Sequence, residues 1–253
     1  MLAAVIILSI LVVLLASALI FVLLKYVRKP KEKEEKKETP VENKAEVRIE
    51  PKKLEDLYSQ EMVRAGNIGE KVVVQAFREL LRTEFGYLFT NVCFEYDYGL
   101  SNEIDAILLC QGGIFVIETK YMNGKICGKR ELHDWNCFRK NPYAGPLEFY
   151  NPIEQNKNHI ENLSSLFSGP VPKMTSLVIF PISDISAVPF PEVKSLDEAI
   201  KTVKAAIREK KYSQNFIVQI YHEIREISAQ YGIPKAQHVK NIERLKEQNE
   251  NLD

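Results

Sequence analysis

The chain has 253 residues, with 34 Lys and Arg against 34 Asp and Glu, and 45% of its residues are hydrophobic. The length suits one catalytic-size domain with appendages, and the apolar share excludes a wholly disordered chain. A formal charge of zero excludes a uniformly basic nucleic-acid coat but not a local basic groove. Four Cys without a CxxC pair exclude a disulfide-dense secreted module and a standard zinc ribbon.

Residues 2–24 carry no charge and no proline; Ser9 and Ser17 are their only polar residues. A helix of this length reaches roughly 35 Å at about 1.5 Å per residue, against about 30 Å of hydrocarbon. The stretch therefore reads as a transmembrane helix over 1–24. Ala16-Ser17-Ala18 offers a signal-peptide cleavage site, but no Lys or Arg precedes the apolar run and it continues through Leu24. Lys25, Arg28, Lys29, Lys31 and Lys33 follow at once. The positive-inside rule then makes this a single-pass protein of the cell membrane with its C-terminal domain in the cytoplasm.

Residues 25–56, with 11 basic and 9 acidic side chains and breaks at Pro30, Pro40 and Pro51, read as a charged tether. A globular domain is expected over 57–182. Ile68, Val72, Val73, Ala76, Phe77, Leu80 and Leu81 recur at helical spacing. Short strands are expected at Leu88–Phe94, Ile104–Cys110, Ile114–Glu118 and Lys125–Cys127. Gln111-Gly112-Gly113 is a tight connection that makes the second and third an antiparallel hairpin. Asn151-Pro152 supplies an N-cap and a first-turn proline for a helix, and Thr175–Phe180 reads as a further strand. Residues 183–253 read as a helical extension, opened by a capping box at Ser195–Glu198 and broken at Gly232 and Pro234. The fold class is α/β, a mixed sheet flanked by helices.

The chemistry-bearing segment is Asp105, twelve mostly apolar residues, then Glu118-Thr119-Lys120. Alternation along a strand projects Glu118 and Lys120 together and Thr119 away. With Asp105 on the preceding hairpin strand, two carboxylates and one ammonium can meet at one end of a sheet. Two carboxylates suit a hard cation such as Mg²⁺ or Mn²⁺, which can activate water and neutralise charge on a phosphate. Strand-end Glu and Lys are more often a surface ion pair, because the bare spacing is a weak pattern.

The surrounding residues add to this. Gly69-Glu70 opening the first helix, Glu103-Ile104-Asp105 and Val116-Ile117-Glu118-Thr119-Lys120 resemble the NERD (nuclease-related domain) family. The resemblance continues through Gly124-Lys125-Ile126, Gly128, Trp135, Asn151-Pro152, Gln155-Asn156 and His159-Ile160. It implies a restriction-endonuclease-like fold of the PD-(D/E)xK superfamily and a Mg²⁺-dependent nuclease role in DNA processing. Ile104 stands where that motif has proline. Asp105 and Glu118 would then hold the metal and Lys120 would serve the attacking water.

Other residues keep two readings. Glu70 borders the apolar face of its helix and can reach the sheet end, or it is a solvated carboxylate favoured by the helix dipole. Gln155 could bond a phosphate or the carboxylates, or lie on the surface, and His159 follows one turn later on the same side. Lys125, Lys129 and Arg130 belong to a stretch, 120–140, with an excess of four positive charges. It could track a nucleic-acid backbone or be an ordinary mixed-charge loop. Trp135 suits a core anchor, and Cys127, His133 and Cys137 do not match a zinc pattern. The leading function is a membrane-anchored, Mg²⁺-dependent nuclease acting on DNA, with RNA possible. The alternative is a catalytically inactive, membrane-tethered module that binds nucleic acid or protein.

Overall fold

The computed structural model describes residues 51–250 apart from 98, 142 and 144. The membrane helix expected over 1–24 and most of the tether expected over 25–56 lie outside the described residues. Among the described residues, no helix is long and apolar enough to cross a membrane. Helix α1 runs from Pro51 to Leu80. It begins inside the stretch read as tether and places Gly69-Glu70 in mid-helix rather than at its opening.

Three strands follow in a meander: β1 Gly86–Asp97, β2 Leu100–Cys110 and β3 Gly113–Thr119. The expected hairpin is present, with β2 antiparallel to β3. A small sheet of β4 Gly124–Cys127, β5 Asp134–Arg139 and β6 Pro146–Tyr150 comes next. Helix α2, Pro152–Ser165, then crosses over to β7, Met174–Ile179, which lies parallel to β3. Strand β8, Val193–Lys194, pairs parallel with β7 and completes a mixed sheet ordered β1-β2-β3-β7-β8. Helices α3 Leu196–Glu209, α4 Gln214–Tyr231 and α5 Lys235–Glu250 end the described chain. Sequence pattern missed β5, β6 and β8. Each is too short or too polar to show alternation.

The central strands are apolar on both faces because helices cover both. On one face, Val73 and Phe77 of α1 and Ala199, Val203 and Ile207 of α3 pack on Leu108, Phe115 and Ile117. On the other, Leu163 of α2 and Ile217, Ile220 and Ile224 of α4 pack on Ile107, Leu109, Ile114 and Val116. The segment read as a helical extension thus supplies an edge strand and much of the core. Ile68 and Val72, expected on the buried side of α1, are exposed. The helix turns its Gly69–Val73–Phe77–Leu80 stripe inward instead. The Ser195–Glu198 capping box and the Asn151 cap form as expected.

Two local features shape the end of the sheet where Asp105 and Glu118 lie. Asn91 adopts a left-handed backbone (φ 52°) where the β1–β2 ladder skips a pair, a conformation Asn tolerates better than most residues. Ile104 and Ala106, two apart on β2, consequently lie in opposite clusters, so the strand turns over at Asp105. Gly69 lets α1 approach the end of β3, since a Cβ there would overlap Tyr121.

Helix propensity alone favours Gly69→Ala by about 1 kcal/mol. Overlap with Tyr121 reverses the sign, and a net destabilisation of roughly 1–3 kcal/mol is expected in urea unfolding. A more stable variant would mean that α1 does not seat against Tyr121 as described.

Candidate active site

Glu118, the last residue but one of central strand β3, is 3% exposed. Continuing the β2–β3 register from Ala106–Ile117 sets Asp105 opposite Glu118. Pairing stops there in favour of side-chain contacts. The Thr119 N–H donates to Asp105 Oδ2 at 2.7 Å, and the Lys120 N–H donates to Ile179 O on β7 at 2.9 Å. The backbone is thereby held on both sides just where the charged residues begin.

Helix α2 supplies the facing side chains. Asn151 Oδ1 accepts from the Ile153 N–H, and Asn151 Nδ2 donates to Arg130 O and Leu132 O. Asn156, fully buried, donates to Val116 O and Ser176 Oγ, which fixes the helix's rotation over β3 and β7. Gln155 and His159, one turn apart, then meet the end of β3. Lys120 Nζ lies 2.8 Å from Glu118 Oε1 and donates to Gln155 Oε1 at 2.8 Å. His159 Nε2 is 3.4 Å from Glu118 Oε2. That oxygen is buried and has no hydrogen-bond partner.

These groups open onto a cavity of about 570 Å³, which Glu70, Asp105, Glu118, Lys120, Gln155 and His159 all line. The α1 helix, the turned-over β2, the end of β3 and α2 each contribute to it. Five sequence candidates thus converge: Glu70, Asp105, Glu118, Lys120 and Gln155. Lys125, Lys129 and Arg130 do not line this cavity. Arg130 makes a two-point ion pair with Glu192 and lies over the Phe190 ring. Lys129 gives its carbonyl to the indole N–H of Trp135, a fully buried core anchor. Cys127, His133 and Cys137 form no cage, and His133 pairs with Asp134 instead.

Sequence reading missed the wall contributed by α5. His238 and Ile242 line the cavity from this helix. Its docking is polar: Lys235 pairs with Glu103, His238 Nδ1 shares a 2.8 Å hydrogen bond with Ser101 Oγ, and Asn241 Nδ2 donates to the same oxygen at 3.2 Å. No local pattern could reveal this, because α5 has no strong apolar stripe and its partners are far away in sequence.

Electrostatics set the carboxylates apart. Burial raises the Asp105 carboxyl well above the usual carboxylate range, and Glu118 and Glu70 push it the same way. The Thr119 N–H and the Lys120 ammonium oppose this without cancelling it. Burial pushes Glu118 up as well, but the Lys120 ammonium and His159 outweigh it and hold Glu118 below its ordinary value. Burial would lower Lys120, yet Glu118, Asp105 and Glu70 keep it above the usual range. Burial also raises Glu70, against the pull of Lys235. Four carboxyls, Glu70, Glu103, Asp105 and Glu118, line this cavity, and two of them, Asp105 and Glu70, disfavour their charged forms, so negative charge crowds the site. Among the described residues, no three His, Cys, Asp or Glu side chains form a ligand cage. The Asp105–Glu118 pair with its unpartnered Oε2 still suits a hard divalent cation, which keeps most of its waters.

Residues 65–181 match the NERD family, described as nuclease-related domain. The match covers this segment, a little under half of the chain. The chain is also 30% identical over 125 residues to an uncharacterized protein of Bacillus anthracis, covering 49% of this chain and 56% of that protein. The chain therefore spans little more than half the length of that relative. No solved structure matches the chain. The NERD segment contains Glu70, Asp105, Glu118, Lys120, Gln155 and His159, whereas β8 and α3–α5 lie beyond it.

A carboxyl raised in the folded state contributes stability below its unfolded pKa and loses it as pH rises through its folded value. In EDTA, the wild type should therefore lose stability as pH rises through the elevated Asp105 range, and Asp105→Asn should lose less. At pH 8 the variant should melt higher, by about 2–4 °C for each kcal/mol recovered. Parallel stability curves for the two proteins would rule out the raised Asp105.

Proposed function

We propose that the chain is a membrane-anchored nuclease that uses Mg²⁺ or Mn²⁺ to hydrolyse phosphodiester bonds in DNA, with RNA as the alternative substrate. The observation that carries this reading is Asp105 opposite Glu118 in one cavity, with Lys120 bridging Glu118 and Gln155. The NERD segment supports a nuclease-related, nucleic-acid-binding role, and a restriction-endonuclease-like superfamily is the general reading that accompanies it.

Asp105 and Glu118 would hold the ion. When bound, such an ion lowers the pKa of a coordinated water and neutralises charge on the phosphate. The protein's own groups do the rest. An ion held there would offset the burial that disfavours the charged form of Asp105. Lys120 has three N–H donors; Glu118 and Gln155 engage two and fix its position, leaving one for a water or a phosphate oxygen. Gln155 therefore acts by orienting Lys120. Glu70, at the rim, offers a carboxylate to orient water. His159 Nε2 stands 3.4 Å from the far oxygen of Glu118 and leaves it without a hydrogen bond. The anchor rests on the uncharged residues 2–24 and the basic cluster from Lys25.

The test uses the full-length protein in detergent. Mg²⁺ or Mn²⁺ should raise its melting temperature by mass action, and Asp105→Ala or Glu118→Ala should abolish the shift. Lys120→Ala should keep the shift while cleavage of DNA falls by on the order of 10²-fold or more. Wild type that neither gains stability with these ions nor cuts DNA or RNA would replace the enzyme with a tethered binding module.

For the anchor, a reporter fused after Asp253 should be active on the cytoplasmic side only. Outer-side activity, or a mature chain lacking residues 2–24, would overturn the topology.

A further inference from the structure

Beside the catalytic cavity lies a second one of about 630 Å³, and Glu70 lines both. The second cavity runs along the outer face of α1. Asn67, Lys71, Gln75 and Arg78 line it, spaced three to four residues apart and so on one face of the helix. Asn91, exposed by its left-handed turn in β1, faces them across the groove, and Lys235 stands at its junction with α5. Glu70, at the inner end, is the only carboxylate among the described residues lining it. Glu79, the next acid along α1, is occupied by Gln75 and Arg82.

An amphipathic helix ordinarily mixes charge signs on its solvent face. Here the stripe toward the groove carries cations and neutral amides, and the acids lie at its end or outside it. Cations and amides are the side chains that contact phosphate oxygens without reading sequence. From Asn67 to Arg78 the stripe covers about 16 Å at about 1.5 Å per residue. That equals about five nucleotides at roughly 3.4 Å per nucleotide of duplex.

We propose that this groove is a phosphate-tracking site, in which Lys71 and Arg78 hold the sugar–phosphate backbone of the polynucleotide strand whose scissile bond lies in the Glu70 cavity. The proposal deepens the nuclease reading and rests on it: α1 positions Glu70 at the rim and also guides the strand to it. The basic stretch with Lys125, Lys129 and Arg130, chosen from sequence, is not needed for this path.

The experiment measures binding rather than cleavage. Full-length protein in detergent and EDTA is titrated with fluorescein-labelled single-stranded and duplex oligonucleotides over a range of NaCl concentrations. Each lost phosphate contact lowers the salt slope by about 0.7 for single strands and about 0.9 for duplex. Lys71→Ala with Arg78→Ala should therefore reduce the slope by roughly 1.4 to 1.8 and weaken binding at least about tenfold at 0.1 M salt. Lys204→Ala with Arg208→Ala, a charge-matched pair on the exposed face of α3, should bind like wild type. The Mn²⁺-induced melting shift should persist in both double variants, because neither touches the carboxylates.

An unchanged slope in the α1 variant, an equal loss in the α3 control, or no binding by wild type would each overturn the groove. Should the alanine pair unfold, Lys71→Gln with Arg78→Gln reads the same slope on a polar helix face. Wild type that binds with the expected slope but cuts nothing refutes hydrolysis and leaves the groove. Cleavage by wild type with an unchanged α1 variant does the reverse.

Discussion

The structure turns on one electrostatic problem, a carboxylate buried at the end of an apolar central strand. Glu118 follows Ile114-Phe115-Val116-Ile117, with helices packed on both faces. A charge placed there without a partner would be neutralised by a shifted pKa or would unfold the strand end. The chain answers with Lys120, two residues on, and with α2, whose cap and buried Asn156 bring Gln155 and His159 to the same point. The compensation is incomplete. One oxygen of Glu118 has no hydrogen-bond partner, and Asp105 sits opposite it under strong pressure to keep a proton. A purely structural ion pair would have no use for a second carboxyl at that position.

The parts of the site legible in the sequence were those set by local periodicity. The Gln111-Gly112-Gly113 turn fixes the hairpin register, and the register sets Asp105 against Glu118. Strand alternation predicts that Glu118 and Lys120 share a side, and their 2.8 Å contact follows. Asn151-Pro152 announces α2, and its period carries Gln155 and His159 to one face. What could not be read depends on long-range packing. Strand β8 is two residues long, and its pairing exists only because β7 offers an edge. Whether a residue of α1 faces inward depends on Gly69 seating against Tyr121, which is why Ile68 and Val72 misled. Within the basic stretch, Arg130 pairs with Glu192 across 62 residues, a contact no local pattern announces.

The turn-over of β2 at Asp105 explains how one strand serves two layers. Regular alternation would keep Ile104 and Ala106 in the same cluster. The left-handed Asn91 on the neighbouring strand breaks that regularity and leaves Asp105 at the crossover. Irregular backbone at such a position costs stability that the two flanking cores supply. It also exposes Asn91 on the α1 side, so a single kink shapes the cavity around Glu118 and the groove beside it.

The polar seat of α5 has a consequence for the order in which the protein is made. Asp105, Glu118 and Lys120 emerge from the ribosome well before His238 and Ile242, which complete the cavity wall. At about 5–20 residues per second, the interval between Asp105 and His238 is roughly 7 to 27 s. The strands of the main sheet and helices α1 to α3 can assemble during that interval, since their apolar contacts do not involve α5. A nascent chain thus carries its carboxylates in an unwalled cleft until α5 docks through Lys235, His238 and Asn241. Synthesis of α5, and not collapse of the core, is the step that finishes the site.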